Sequence, residues 1–212
     1  MQFKNYLDTI FSQPTKVRLL RFLFETRPEM TGRELARFAK ISHMQVYRNL
    51  DDLKSNGIVT KKRVGGAYVF SLNEKNVLVK EVLNTLFQKE GKLLDDVLKA
   101  IFLKKASNML SVVVFGSAAK GEERPASDVD IFILTKNESE SNLVNDFLSD
   151  AELRFYEQTG NRLSPIVMTI AELKGKYKTN KTLFSSILSG KMVSGRSPEE
   201  FINSRAPTSS IN

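Results

Sequence analysis

The sequence predicts an α+β protein built in two parts, and three observations predict it. Apolar residues recur at helical spacing in three segments before residue 57, and a two-stranded hairpin pattern follows them. Further on, unbroken apolar runs of strand character alternate with helical segments. The charge is also divided: residues 1–75 hold 14 basic and 7 acidic residues, residues 76–212 hold 18 and 17, and the whole chain carries +8. Such asymmetry suggests a nucleic-acid-binding module attached to an electrostatically neutral one.

Composition narrows the chemistry. At 212 residues the chain has room for one large domain or two small ones. With 41% hydrophobic and 26% charged residues it is expected to fold as an ordinary globule. No apolar run approaches the roughly 18 residues of a membrane span, so no membrane partner is expected. The opening MQFKNYLDTIFSQPTK is acidic and polar where a signal peptide is apolar, which predicts no export and a cytoplasmic location. The absence of Cys excludes disulfides and thiolate metal sites, and a single His, His43, excludes a His-rich one within the chain. A metal would need oxygen ligands, which suits Mg²⁺ or Mn²⁺.

The elements follow in order. A helix is predicted over Thr15 to Glu25, from Val17, Leu20, Leu23 and Phe24, with Pro14 before its start. Thr31 and Glu34 have the spacing of a capping box, opening a helix to about Lys40 with Leu35, Ala36 and Phe38–Ala39 as its apolar positions. After Ile41-Ser42, a third helix places Val46, Leu50 and Leu53 in one stripe and ends at Gly57 as a C-cap. Ile58 to Arg63 reads as a strand, Gly65-Gly66 as a tight turn and Ala67 to Leu72 as the return strand. This is the layout of a winged helix-turn-helix, and SHMQVYRNLDDLKSNGIV from Ser42 resembles the recognition helix and first wing strand of bacterial and archaeal winged-helix regulators. The resemblance covers about residues 10–73 and implies double-stranded DNA as partner. His43, Gln45, Tyr47 and Arg48 would enter the major groove, although His43 equally suits a turn, and Lys61, Lys62 and Arg63 would meet phosphates.

Residues 76–104 read as a helical connector. Val79, Val82, Leu83, Leu86, Phe87, Leu93, Leu94, Val97, Leu98, Ile101 and Phe102 form a broad apolar stripe, interrupted at Gly91. The stripe suits packing against the second domain and suits a homodimer interface equally well. The second domain is predicted over 105–203, with strands at Ser111–Phe115, Asp128–Leu134 and Ser164–Thr169. A polar loop is expected at Asn137–Asn142, then a helix to about Gln158, and short helices near 170–175 and 179–190. The tail 204–212 is expected to be disordered.

The segment VVVFGSAAKGEERPASDVDIFIL, residues 112–134, carries the chemistry. A buried strand ends at Gly116-Ser117, where a helical turn begins. Such a junction offers backbone N–H groups and a helix N-terminus to a phosphate, with the Ser117 hydroxyl as a further donor. Asp128 and Asp130 are two residues apart at a strand start, so their carboxylates share a face, and a divalent cation would relieve their repulsion. Phosphate cradle and carboxylate pair together suit phosphoryl or nucleotidyl transfer. Lys120 and Arg124, in the connecting loop, suit either added charge or a solvent-facing role.

Gly-Ser followed by Asp-x-Asp resembles the signature of the DNA polymerase β-like nucleotidyltransferases, and GSAAKGEERPASDVDIFIL looks most like the minimal members, over about residues 105–195, including FSSILSGKMVSG. The resemblance implies that Asp128 and Asp130 are catalytic metal ligands, that Gly116 and Ser117 hold nucleotide phosphate, and that the nucleotide is a triphosphate, ATP above others. Active members carry a third carboxylate on a later strand. The matching strand here, LSPIVMT at 163–169, has no acid; Glu157 and Glu172 flank it, and neither is assigned. The Arg that usually follows the motif Ser is Ala118. Three functions remain open: a transcription regulator with a Mg²⁺-nucleotide-binding transferase domain, an active nucleotidyltransferase whose winged helix recruits a protein or nucleic-acid substrate, and an inactive interaction scaffold.

Overall fold

In the computed structural model, residues 5–124 and 127–204 are described, and they divide into two compact units, one to Leu93 and one from Leu94. Nearly all of the tail expected to be disordered lies outside the described residues. Among the described residues no helix is long and apolar enough to cross a membrane.

The first unit runs α1 (Tyr6–Ile10), α2 (Pro14–Thr26), β1 (Met30–Thr31), α3 (Gly32–Ala39), α4 (His43–Ser55), β2 (Val59–Val64) and β3 (Ala67–Leu72). A π-helical turn, Leu78–Leu83, then continues into α5 (Asn84–Glu90). The capping box at Thr31 is present: its Oγ1 accepts from the Glu34 N–H, and Glu34 accepts from the Thr31 N–H at 2.8 Å. Ser42 caps α4 in the same way, accepting from the Gln45 N–H. Gly57 follows α4 at φ +75°, the left-handed conformation that lets the chain turn into β2. The two wing strands pair antiparallel from Val59↔Leu72 to Val64↔Ala67, and β1 joins the far edge of β3. Leu19, Leu20, Leu23, Leu35, Val46, Leu50, Leu53 and Phe70 fill the core, each contributing about 1.5–3 kcal/mol over leaving it in water. Helix, helix, turn, helix and wing therefore fold as a winged helix-turn-helix.

One feature of this core is polar. Lys16 on α2 is buried, and its Nζ donates to the Thr9 carbonyl at 2.8 Å, to Ser12 Oγ at 3.0 Å and to Asp52 on α4. A lysine is almost never buried without such partners. Here it ties the turn after α1 to α4. Tyr6 completes the tie by donating to the Asn56 carbonyl at 3.0 Å, and burial, with the Asp52 charge, pushes its hydroxyl up to about 12.

The 76–104 stretch, expected as one connector, is divided. Its first half belongs to the first unit: Val79, Leu83 and Phe87 are buried there, Phe87 stacks on Phe24 at 4.9 Å, and Arg21 donates twice to Glu90, at 2.6 and 2.9 Å. After the turn at Gly91-Lys92, α6 (Leu93–Phe102) buries Leu98, Ile101 and Phe102 in the second unit. The helical break at Gly91 is where one apolar stripe becomes two.

The second unit continues with a 3₁₀ turn (Leu103–Asn108), β4 (Ser111–Phe115), α7 (Gly116–Lys120), β5 (Val129–Thr135), α8 (Glu138–Thr159), β6 (Leu163–Thr169), α9 (Ile170–Lys176), α10 (Lys181–Leu188), β7 (Lys191–Gly195) and α11 (Pro198–Asn203). The sheet order is β6-β5-β4-β7, with β5 and β6 parallel and the other pairs antiparallel. Alternation along β5 sends Val129, Ile131 and Ile133 to the face covered by α6 and α8, and Phe132 and Leu134 to the face covered by α9, α10 and α11. The polar segment Asn137–Asn142, expected as a loop, is instead the start of α8, because the Asn137 side chain accepts from the Glu140 N–H at 3.0 Å and acts as N-cap.

Candidate nucleotide site and nucleic-acid interface

Three strand ends build the candidate nucleotide site. Antiparallel pairing of β4 with β5 sets Phe115 opposite Asp130, so Gly116, one residue on, turns directly over the aspartate. Gly116 has φ +73°, and a Cβ there would collide with Asp130 Oδ2, so both backbone and space require glycine. The Asp130 carboxylate thus occupies the volume a side chain at 116 would fill. Parallel pairing of β5 with β6 sets Ser164 beside Asp130 on the same face of the sheet, so its hydroxyl can interact with the carboxylate and favour the charged form.

Asp130 is half-buried and Asp128, just before the strand, is exposed. Burial raises the Asp130 carboxyl above its ordinary value; the Ser164 hydroxyl opposes this, and the Asp128 charge adds to it. The two carboxylates are therefore near enough to repel. Ser117 lies in the first turn of α7, which is only five residues long, so the turn offers local N–H groups rather than a developed macrodipole. Lys120 and Arg124 are exposed. Ser127 pins the loop between α7 and β5: its hydroxyl donates to the Arg124 carbonyl at 2.8 Å and accepts from the Arg124 N–H at 3.2 Å, while its own carbonyl accepts from Asn161 Nδ2 at 2.8 Å.

Neither flanking glutamate completes a carboxylate trio. Glu172 caps α9 beyond the far end of β6, about 17 Å from Ser164 by strand rise. Glu157 is an exposed residue of α8, whose buried face covers the side of the sheet opposite Asp130. Among the described residues no three His, Cys, Asp or Glu side chains gather as a metal site. Two carboxylates still fit one small divalent cation, because Mg²⁺ commonly takes one or two protein carboxylates and completes its shell with water and substrate phosphate. Ser164 and Asn161 had no motif to mark them in the sequence; strand register and loop closure bring them to the site, whereas Ser127 lies within the Gly-Ser to Asp-x-Asp segment.

In the first unit, His43, Gln45 and Arg48 are exposed on α4. The Gln45 side chain also accepts from the Ser42 hydroxyl at 2.8 Å at the helix start. Tyr47 differs: it is half-buried, its ring meets Phe70 edge-on at 6.1 Å, lies 4.6 Å from the His43 ring, and sits 2.6 Å from where a Gly32 Cβ would stand. On the wing, Lys62 and Arg63 are exposed, whereas Lys61 lays its Nζ 4.3 Å over the Tyr68 ring. Lys62 Nζ lies 3.9 Å from Glu29 with both side chains well exposed, too loose and too wet a pair to immobilise it.

Residues 96–189 match the family model described as a nucleotidyltransferase domain. A candidate protein adenylyltransferase of Methanocaldococcus jannaschii is 30% identical over 99 residues, a match spanning 46% of this chain and 66% of that protein. Among solved structures, a predicted DNA-binding transcriptional regulator from E. coli aligns at 21% identity over 41% of this chain and 84% of its own, with TM-score 0.34. The homodimeric winged helix-turn-helix DNA-binding domain of a Mycobacterium bovis protein aligns at 20% over 44% and 85%, with TM-score 0.33. The motif geometry and the family match agree on the second unit: this chain carries a nucleotidyltransferase domain over residues 96–189, behind a unit with winged helix-turn-helix architecture.

Proposed function

We propose that the chain is a DNA-binding regulatory protein of the cytoplasm whose nucleotidyltransferase domain binds a nucleoside triphosphate, ATP by preference, together with Mg²⁺ or Mn²⁺. The observation that carries this reading is the seating of the Asp130 carboxylate in the space left by Gly116, next to Ser117 and Asp128. Gly116 and Ser117 hold the phosphates, and Asp128 and Asp130 hold the cation. When bound, the cation neutralises phosphate charge and stabilises the leaving oxygens. The protein's own residues orient the triphosphate so that its α-phosphorus faces an acceptor, which takes the nucleotidyl group as pyrophosphate departs.

On the DNA side, His43, Gln45 and Arg48 read the major groove, while Lys62 and Arg63, with Lys61, meet phosphates. Tyr47 acts chiefly by holding α4 against β3. Val77, Val82 and Leu86 are exposed apolar residues on and just before the π-turn and α5, and they supply the interface of a homodimer that reads an inverted repeat. A second reading, a working transferase whose winged helix recruits a substrate, is favoured by the relative named as an adenylyltransferase. Calorimetric titration of the full chain with ATP, with and without Mg²⁺, tests the nucleotide site. The proposal expects Mg²⁺-dependent binding that Asp128→Asn with Asp130→Asn abolishes; equal binding by both proteins overturns it. Transfer of label from ATP to a protein or nucleic-acid acceptor would favour the second reading.

A further inference from the structure

Ser164 pairs with Asp130 across the parallel edge of β5 and β6. The register Asp130↔Ser164 is fixed by seven consecutive parallel pairs, from Val129↔Leu163 to Thr135↔Thr169, so a slip of one residue would invert every side chain of an edge strand packed on both faces. Along β6, Ser164 and Ile166 alternate with Leu163 and Val167, which pack towards α8, and Asp130 on β5 shares the face of its partner Ser164. The Asp130 carboxylate is bounded by the Gly116 backbone on one side, and the register sets Ser164 beside it on the same face of the sheet.

The chemistry of residue 164 also sets the charge. Asp128 and Asp130 bring −2, which one divalent cation neutralises. An acid at 164 would bring −3 and favour a second cation, whereas a hydroxyl adds a donor and no charge.

We propose that Ser164 is the positioning residue of the nucleotide site: its hydroxyl fixes the Asp130 carboxylate toward Gly116, and its neutrality restricts the site to a single divalent cation. This rests on the proposed binding of a cation by Asp128 and Asp130. Partners that orient metal ligands typically change metal affinity by about tenfold or more when removed. A neutral 164 therefore gives a site that binds cation well only when nucleotide phosphate supplies the remaining ligands.

The test uses full-length protein and two probes: MnCl₂ alone, counted as free Mn²⁺ by electron paramagnetic resonance, and a preformed complex of Mn²⁺ with a non-hydrolysable ATP analogue, measured by calorimetry. Ser164→Ala is expected to bind the complex about tenfold more weakly than wild type, and Ser164→Thr, which keeps the hydroxyl, within about threefold of it. Ser164→Asp is expected to bind MnCl₂ alone about tenfold or more tightly than wild type, a gain that a misfolded variant cannot give. The proposal is overturned if Ser164→Ala binds the complex like wild type, or if Ser164→Asp gains no affinity for MnCl₂. The underlying reading has a separate control: if wild type and the Asp128→Asn, Asp130→Asn double variant bind the complex equally, the carboxylate pair is no cation site, whatever residue 164 does.

Discussion

Gly116→Ala is expected to lower the stability of the second unit by about 2–5 kcal/mol, in two separable parts. Gly116 sits at φ +73°, where an L-residue is disfavoured by about 1–2 kcal/mol. The new methyl group also meets Asp130 Oδ2, and overpacking of this kind costs about 1–3 kcal/mol. Asp130→Ala removes the obstructing carboxylate and leaves the backbone conformation as it was. In that background, alanine at 116 should cost only the conformational part, so the two substitutions should couple by about 1–3 kcal/mol. Wild type, both single variants and the double variant can be compared by native-state hydrogen exchange at the amides of β4 and β5, which reports opening of this unit in the intact chain. Additive costs, agreeing within about 0.5 kcal/mol, would mean that the Asp130 carboxylate does not occupy the space over residue 116.

The remaining predictions concern the first unit, the caps and assembly. Lys16→Met keeps most of the buried stem but loses the three donated bonds, and should destabilise by about 1–3 kcal/mol in urea melts; Asp52 is 40% exposed and can rehydrate, which holds the cost below that of a fully buried broken pair. A melt unchanged from wild type would contradict the assigned role of Lys16. Arg48→Ala, Lys62→Ala and Arg63→Ala should each weaken duplex binding and reduce the salt slope by about one unit where a phosphate contact is lost, and an unchanged slope for all three would remove this face from the interface. Glu34 and Glu172 are held below the ordinary glutamate value, first by the backbone hydrogen bonds of their capping boxes. Their stabilisation is therefore complete above the ordinary value and lost as pH falls through the lowered folded-state value; NMR titration should find both depressed, and Thr31→Ala, which removes the hydroxyl bond but keeps the backbone one, should return Glu34 only part of the way toward normal. Light scattering should give a dimer at tens of micromolar that Val82→Glu with Leu86→Glu dissociates; a wild-type monomer rules the assembly out.

Legibility in the sequence followed the range of the forces involved. The caps at Thr31 and Ser42, the turn at Gly57 and the wing at Gly65-Gly66 are local devices, and the residue types that satisfy them stand within a few positions of one another. Gly116-Ser117 and Asp128-Val129-Asp130 were readable for the same reason. What was not readable depends on partners distant in the chain. Short α1 carries its meaning through Lys16, whose charge marks it as a surface residue until Thr9, Ser12 and Asp52 surround it. β1, of two residues, exists because β3 has a free edge. β7 carries weak strand character in Lys191-Met192-Val193-Ser194-Gly195 and is strand because β4 pairs with it. The apolar stripe of 76–103 reads as one surface, since helical periodicity does not say that Phe87 and Leu98 serve different cores. Ser164 is invisible for a related reason: a serine second in an apolar run gains significance only from the register that sets it beside Asp130.

Nitrogen–proton correlation spectra of the isotopically labelled full chain, recorded as ATP is added with and without Mg²⁺, would locate the nucleotide directly. Binding at the turn from β4 into α7 predicts that the largest shifts fall on Gly116, Ser117, Asp128, Val129, Asp130 and Ser164, and that they require Mg²⁺. Shifts confined to other residues, or the same shifts with and without the cation, would contradict a cation-bridged nucleotide site on these strand ends.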